Sequence, residues 1–180
     1  MKIFLKMKKC WNERPADVEI DTIVIHAMNA GVIYPNSPFS VDKCIRILED
    51  YEVSSHYMID RKGAVYQLVS EDKKAWHAGI SKMPAPDNRS NVNDFSIGIE
   101  LIGNEELPFE EKQYEALNSL INDIQYRKKI KYIVGHSQIA TQELVDLGLR
   151  KDAKWDPGKQ FDWNKIKKAG ITTCQPKITS

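Results

Sequence analysis

Asp21-Thr22-Ile23-Val24-Ile25-His26 is a β-branched run closed at each end by a polar side chain. Its four central residues show no helical spacing and are too few for a helix, so they read as a strand buried on both faces. His26 then stands at the carboxyl end of that strand. Two later segments have the same character, Ser96-Ile97-Gly98-Ile99-Glu100-Leu101 and Lys131-Tyr132-Ile133-Val134. The first carries a carboxylate, Glu100, inside an otherwise apolar strand. The second stops just short of Gly135-His136.

Between these strands the pattern changes. Ser40 is placed to cap a helix in which Val41, Cys44, Ile45 and Leu48 share one face, ending near Tyr51. His56 to Asp60 and Ala64 to Val69 flank Arg61-Lys62-Gly63, where glycine takes the positive φ of a tight hairpin, expected beside the first strand. Lys82 to Asn93 follows neither period and contains Pro84, Pro86, Asp87 and Asn88, so it reads as a surface loop. Glu110 to Lys128 places Tyr114, Leu117, Leu120, Ile121 and Ile124 on one helical face. Phe161 to Ala169 is expected to form a last short helix stopped by Gly170, and 171–180 a polar tail. This order implies one α/β (α+β) domain over 1–180, core about 12–170, with a mixed central sheet flanked by helices.

Composition agrees with a single compact domain: 180 residues, 42% of them apolar, suffice for a core. The 26 basic and 25 acidic residues nearly cancel, which argues against long-range capture of nucleic acid or an anionic membrane surface. No stretch is long enough to span a bilayer. The N-terminal apolar patch is short and broken by lysines, unlike a secretory core. Cys10, Cys44 and Cys174 have no pair spacing and indicate neither a disulfide framework nor a cysteine zinc knuckle. These points favour a cytoplasmic protein, or a periplasmic one if a signal peptide has been trimmed.

The chemistry concentrates around Lys154-Trp155-Asp156-Pro157-Gly158. Asp156 offers an oxygen ligand to the histidines that follow the strands, His26 and His136. Two imidazoles and one carboxylate leave one position of a tetrahedral zinc open for water, the arrangement of hydrolytic rather than structural sites. Taken singly, a histidine after an apolar strand is more often a hydrogen-bonded structural residue than a ligand. The set, rather than any one member, points to a metal-dependent hydrolase.

Several ordered motifs across nearly the whole chain resemble a known family. They are Asn12-Glu13-Arg14-Pro15, Ile23-Val24-Ile25-His26, Val53-Ser54-Ser55-His56-Tyr57, Ala75-Trp76-His77-Ala78-Gly79, Asn93 to Leu101, Gly135-His136-Ser137 and Asp156-Pro157-Gly158. The chain is similar to zinc-dependent N-acetylmuramoyl-L-alanine amidases of the AmpD type, which share a fold with phage T7 lysozyme and peptidoglycan recognition proteins. The resemblance implies that His26, His136 and Asp156 bind zinc, Glu100 assists proton transfer and Lys154 stabilises developing negative charge. It also implies peptidoglycan fragments as the partner, with cleavage of the amide between N-acetylmuramic acid, or its 1,6-anhydro form, and L-alanine.

His77 resembles the family's substrate-side histidine, whereas His56 is expected to orient or pack. Trp76 and Trp155 are candidates to present apolar faces to substrate, and Arg89 to meet a substrate carboxylate. The chain departs from the family's pattern in one place. His136 and Asp156 are twenty positions apart, with Gln142 to Asp152 filling a gap that is shorter in familiar members. Asp146 and Asp152 are therefore alternative ligands, but only Asp156 has the Lys-x-Asp-Pro-Gly context. That segment is a candidate gate over the site. A receptor that binds peptidoglycan without turnover is the alternative from another class. A phage-type amidase that also regulates a polymerase is a third reading, which the near-neutral charge does not favour.

Overall fold

The computed structural model describes residues 2–5, 7, 9–166 and 172–173, and of residues 2, 172 and 173 the backbone alone. The strands are β1 (Lys2–Phe4), β2 (Trp11–Glu13), β3 (Thr22–Met28), β4 (Tyr57–Ile59), β5 (Val65–Gln67), β6 (Lys73–Ala75), β7 (Ser96–Ile102), β8 (Tyr132–Gly135) and β9 (Thr172–Thr173). The helices are α1 (Val41–Asp50), α2 (Glu111–Arg127), α3 (His136–Ile139) and α4 (Gln142–Asp146). Seven strands form one mixed sheet in the order β1-β5-β4-β7-β3-β8-β9, and β2 pairs with β6 in a small antiparallel sheet.

Every residue of β7 is buried, as are the first six of β3, and helices cover both faces of these central strands. That is why their sequences run apolar rather than alternate. Ile23, Ile25, Ile97, Ile99 and Leu101 pack on Leu117, Leu120, Ile121 and Ile124 of α2. Full burial of each such side chain contributes roughly 1.5–3 kcal/mol. The Gln113 side chain accepts from the Glu110 backbone N–H at the start of α2. On the opposite face Cys44 and Leu48 of α1 pack with Met58, Leu68 and Ile102. Ser40 caps α1 through the Lys43 N–H.

The period of two places His26 on the same face as Val24, and Glu100 on the face of Gly98, in each case away from α2. His26 and Glu100 are register partners in the parallel β3/β7 pair. A histidine and a carboxylate 74 positions apart in sequence thus become neighbours on one sheet face.

Three expectations are corrected. The hairpin, with Gly63 at φ 82, does not lie beside the first strand: β7 stands between β4 and β3. In place of a helix from Phe161, the described part of that segment forms a 3-10 turn, Trp163–Lys165, and 167–170 lie outside the described residues. The tail contains Thr172–Thr173, which pairs in parallel with β8; 174–180 lie outside the described residues.

A candidate metal centre at the carboxyl ends of the parallel strands

Strand β3 brings His26 to the site, and β8 ends on Gly135 so that His136 opens α3. A Cβ on Gly135 would meet Pro157 Cδ at 2.8 Å and the Trp163 ring at 3.2 Å, so this glycine lets the Asp156-Pro157-Gly158 turn close behind the strand end. The Ser137 N–H donates to Asp156 O at 2.9 Å and holds that turn in place. Three side-chain atoms converge as a result. His26 Nδ1 lies 3.1 Å from His136 Nδ1, and Asp156 Oδ2 lies 3.2 Å from each. All three residues are buried.

The protons on these rings follow from the hydrogen bonds around them. The Ser96 hydroxyl donates to Val92 O at 2.6 Å, so at 3.2 Å from His77 Nε2 it accepts, and His77 carries its proton on Nε2. Burial first, and then the neighbouring His26, lower the His77 pKa well below the usual imidazole range, so the ring is neutral. Its bare Nδ1 accepts from His26 Nε2–H at 3.0 Å. Burial and then His136 lower His26 to about 4, so His26 is also neutral, with its Nδ1 lone pair aimed into the triangle. His136 Nε2–H donates to Ala78 O at 3.3 Å, which leaves its Nδ1 bare as well.

Two ring nitrogens and a carboxylate oxygen therefore face one another in a buried triangle, a donor set that could hold a cation. Ligands about 2.0–2.2 Å from a tetrahedral zinc stand roughly 3.3–3.5 Å apart, and the triangle needs to open only slightly to match. The three residues fit a bound metal. Among the described residues no other group of His, Cys, Asp or Glu converges in this way.

Every histidine of the chain belongs to one buried row. Ring centroids are 4.5 Å apart for His136 and His26, 5.1 Å for His26 and His77, and 5.6 Å for His77 and His56. His56 Nδ1 accepts from the Gly98 N–H at 3.0 Å, so its Nε2–H donates to Lys73 O at 3.0 Å. The Arg14 Nη2 atom, also 3.0 Å from His56 Nε2, is then a donor beside a donor; it spends its hydrogen on Ser96 O at 2.9 Å instead. Burial, followed by this guanidinium, drives His56 down to about 3. Both ring nitrogens of His56 are thus taken up by backbone groups.

Glu100 lines the same cavity, 8% exposed, and its Oε2 has no hydrogen-bond partner. Burial, and then Asp156, push its carboxyl well above the usual carboxylate range, with Lys154 acting in opposition. Lys154 lines the cavity too, its backbone N–H held by Ala140 O at 2.9 Å. The cavity has a volume of about 520 Å³, and Trp76 and Trp155 form part of its wall.

Arg89 departs from the expected substrate contact, whereas His77 lines the cavity. Both ring nitrogens of His77 are engaged inside the protein, one on His26 and one on Ser96. Arg89 is absent from the cavity lining. Its guanidinium pairs with Asp21 and Asp87 and stacks on Phe95 at 3.9 Å. Asp146 accepts from Gln142, and neither it nor Asp152 belongs to the converging set, which leaves Asp156. The sequence reading passed over Ser96, Asn93, Gly98 and Arg150. Asn93 Oδ1 accepts from the His77 and Ala78 N–H groups. A Cβ on Gly98 would stand 2.5 Å from His77 Cγ, so only glycine lets that ring lie on the strand.

Comparison with known proteins supports the same reading. A family model for N-acetylmuramoyl-L-alanine amidase matches residues 16–159. The 1,6-anhydro-N-acetylmuramyl-L-alanine amidase AmpD of Haemophilus influenzae is 36% identical over 169 residues, covering 86% of this chain and 85% of its own. The crystal structure of a selenomethionine derivative of AmpD superposes with a TM-score of 0.74 at 29% identity, covering 95% of this chain and 94% of that one. Escherichia coli AmiD, in complex with the substrate anhydro-N-acetylmuramic acid-L-Ala-D-gamma-Glu-L-Lys, gives 0.64 at 32% identity, over 86% of this chain and 59% of that one.

Proposed function

We propose, since this chain belongs to the N-acetylmuramoyl-L-alanine amidase family, that it is a zinc enzyme acting on 1,6-anhydro-muropeptides, fragments of the kind that cell-wall recycling returns to the cytoplasm. The observation that carries the reading is the buried triangle of His26, His136 and Asp156 beside the unpartnered oxygen of Glu100. None of the described helices is long and apolar enough to cross a membrane.

In this reading His26 Nδ1, His136 Nδ1 and Asp156 Oδ2 hold the zinc. When bound, the ion supplies Lewis-acid polarisation of the amide carbonyl and acidification of water. Glu100 takes the proton of the attacking water and passes it to the leaving nitrogen of L-alanine. Burial raises its pKa above the ordinary carboxylate range, the direction that favours handing a proton on. Lys154 directs its ammonium at the carbonyl oxygen as negative charge develops there. His77 is a positioning residue: through Ser96 it fixes the tautomer in which His26 presents a lone pair.

Product analysis tests the substrate. Zinc-loaded protein is offered anhydro-muropeptide and intact sacculi in parallel, with a chelated control. Free stem peptide is expected from the anhydro fragment alone, and only with metal. Release from sacculi instead would make this a wall-cleaving enzyme, and binding without cleavage would establish the receptor reading.

The positioning role has its own readout. His77→Phe leaves the His26 Nε2–H without an acceptor, and zinc affinity is expected to fall about 10- to 100-fold in chelator competition. Unchanged affinity would mean that strand packing alone orients His26.

A further inference from the structure

The segment between His136 and Asp156 delivers a second cation, Arg150, to the cavity wall beside Lys154 and Trp155. Its guanidinium is braced on backbone. Nε donates to Asp152 O at 2.8 Å, and Nη1 donates to Ile80 O, with a long contact to Ala78 O at 3.5 Å. Nη2 has no partner among the described residues, and a Cβ built on Gly79, another wall residue, would stand 4.0 Å from it.

The other arginines whose contacts the structure gives are engaged away from the cavity. Arg46, Arg61, Arg89 and Arg127 each pair with a carboxylate, and Arg14 donates to backbone carbonyls. Arg150 alone among them stands at the reaction cavity without an acid of its own. A guanidinium held rigid on one side and open on the other is a receptor for an anion.

Its place beside His136 narrows the choice of anion. Ala78 O accepts from His136 Nε2 at 3.3 Å and meets Arg150 Nη1 at 3.5 Å; the two legs share an oxygen, so those nitrogens are no more than 6.8 Å apart. In a stem that begins L-Ala-D-γ-Glu, alanine is uncharged and the γ linkage leaves the glutamate α-carboxylate free. That group is the first anion met on leaving the scissile amide. Two extended residues advance it by about 7 Å from that amide, and the cavity wall that holds His136 also holds Arg150.

We infer that Arg150 is a specificity-determining residue that binds the α-carboxylate of the γ-linked glutamate, so that this amidase discriminates against stems in which it is amidated. The inference rests on the substrate reading above.

The test compares anhydro-muropeptides carrying γ-linked glutamate or its α-carboxamide, isoglutamine, with wild-type protein, Arg150→Gln and Arg150→Lys, zinc content being measured in each. Wild-type kcat/KM is expected to be on the order of 10- to 100-fold higher on the glutamate substrate, the contribution of one charge-assisted hydrogen bond. Arg150→Gln is expected to lose that preference through KM on the glutamate substrate alone, and Arg150→Lys to keep part of it. Equal wild-type rates on the two substrates, or an equal loss on both in Arg150→Gln, would overturn the assignment. The wild-type comparison holds even if a variant fails to fold. Cleavage of neither substrate by the wild type would overturn the substrate reading itself.

Discussion

Glu100→Gln is expected to lower kcat by about 100- to 10,000-fold while the protein keeps its zinc. Glutamine preserves the volume and leaves the buried strand packing in place, so the change isolates the proton-carrying function. The structure supports so large an effect because the Glu100 carboxyl has nothing else to do. Its Oε2 is buried without a hydrogen-bond partner, a cost that a purely structural residue would have no reason to bear. It faces the cavity from the register position beside His26. Steady-state kinetics with metal analysis on the same sample provides the check. A rate near wild type would remove Glu100 from the mechanism, and loss of zinc would make it part of the metal site.

Asp156→Ala is expected to weaken zinc binding by more than about 100-fold and to abolish turnover, with the fold intact. The carboxylate is the one anion in the triangle. The carboxylate is buried beside two ring nitrogens that offer it no proton, so a bound cation is what would compensate its charge. Without it, two imidazoles remain, and a divalent ion loses both a ligand and charge compensation. The turn itself survives, because it is fixed by the Ser137 N–H on the Asp156 carbonyl and by Pro157 against Gly135, neither of which uses the side chain. Asp152→Ala, which alters a residue outside the converging set, is the matched control and is expected to bind zinc normally. Metal titration and thermal melts in chelator check both variants. Normal zinc content in Asp156→Ala would reject the ligand assignment.

Much of the site was legible in sequence because its members sit at the ends of elements that local pattern reveals. His26 and His136 each follow an apolar run, Glu100 interrupts one, and Asp156 has the Pro157-Gly158 turn beside it. The segment from Gln142 to Asp152, a candidate gate, forms the short helix α4, after which Arg150 is tied to the Ile80 and Asp152 carbonyls. Arg89 is placed elsewhere for a local reason. A polar side chain on a loop has the same local sequence whether it points to solvent, to an ion pair or to a neighbouring ring, and Arg89 pairs with Asp21 and Asp87.

The amino-acid sequence by itself determined the central strands, the helices α1 and α2, and the residue types offered to the candidate centre. Hydrophobic period and turn residues are local properties, and ligand identity is a matter of residue type. Only the tertiary structure decided that β7 rather than the hairpin adjoins β3, that Ser96 and His77 set the proton on His26, and that Arg150 rather than Arg89 reaches the cavity. Those are pairings between groups distant in the chain, made by hydrogen bonds that carry no period, and they exist only once the strands have been laid side by side.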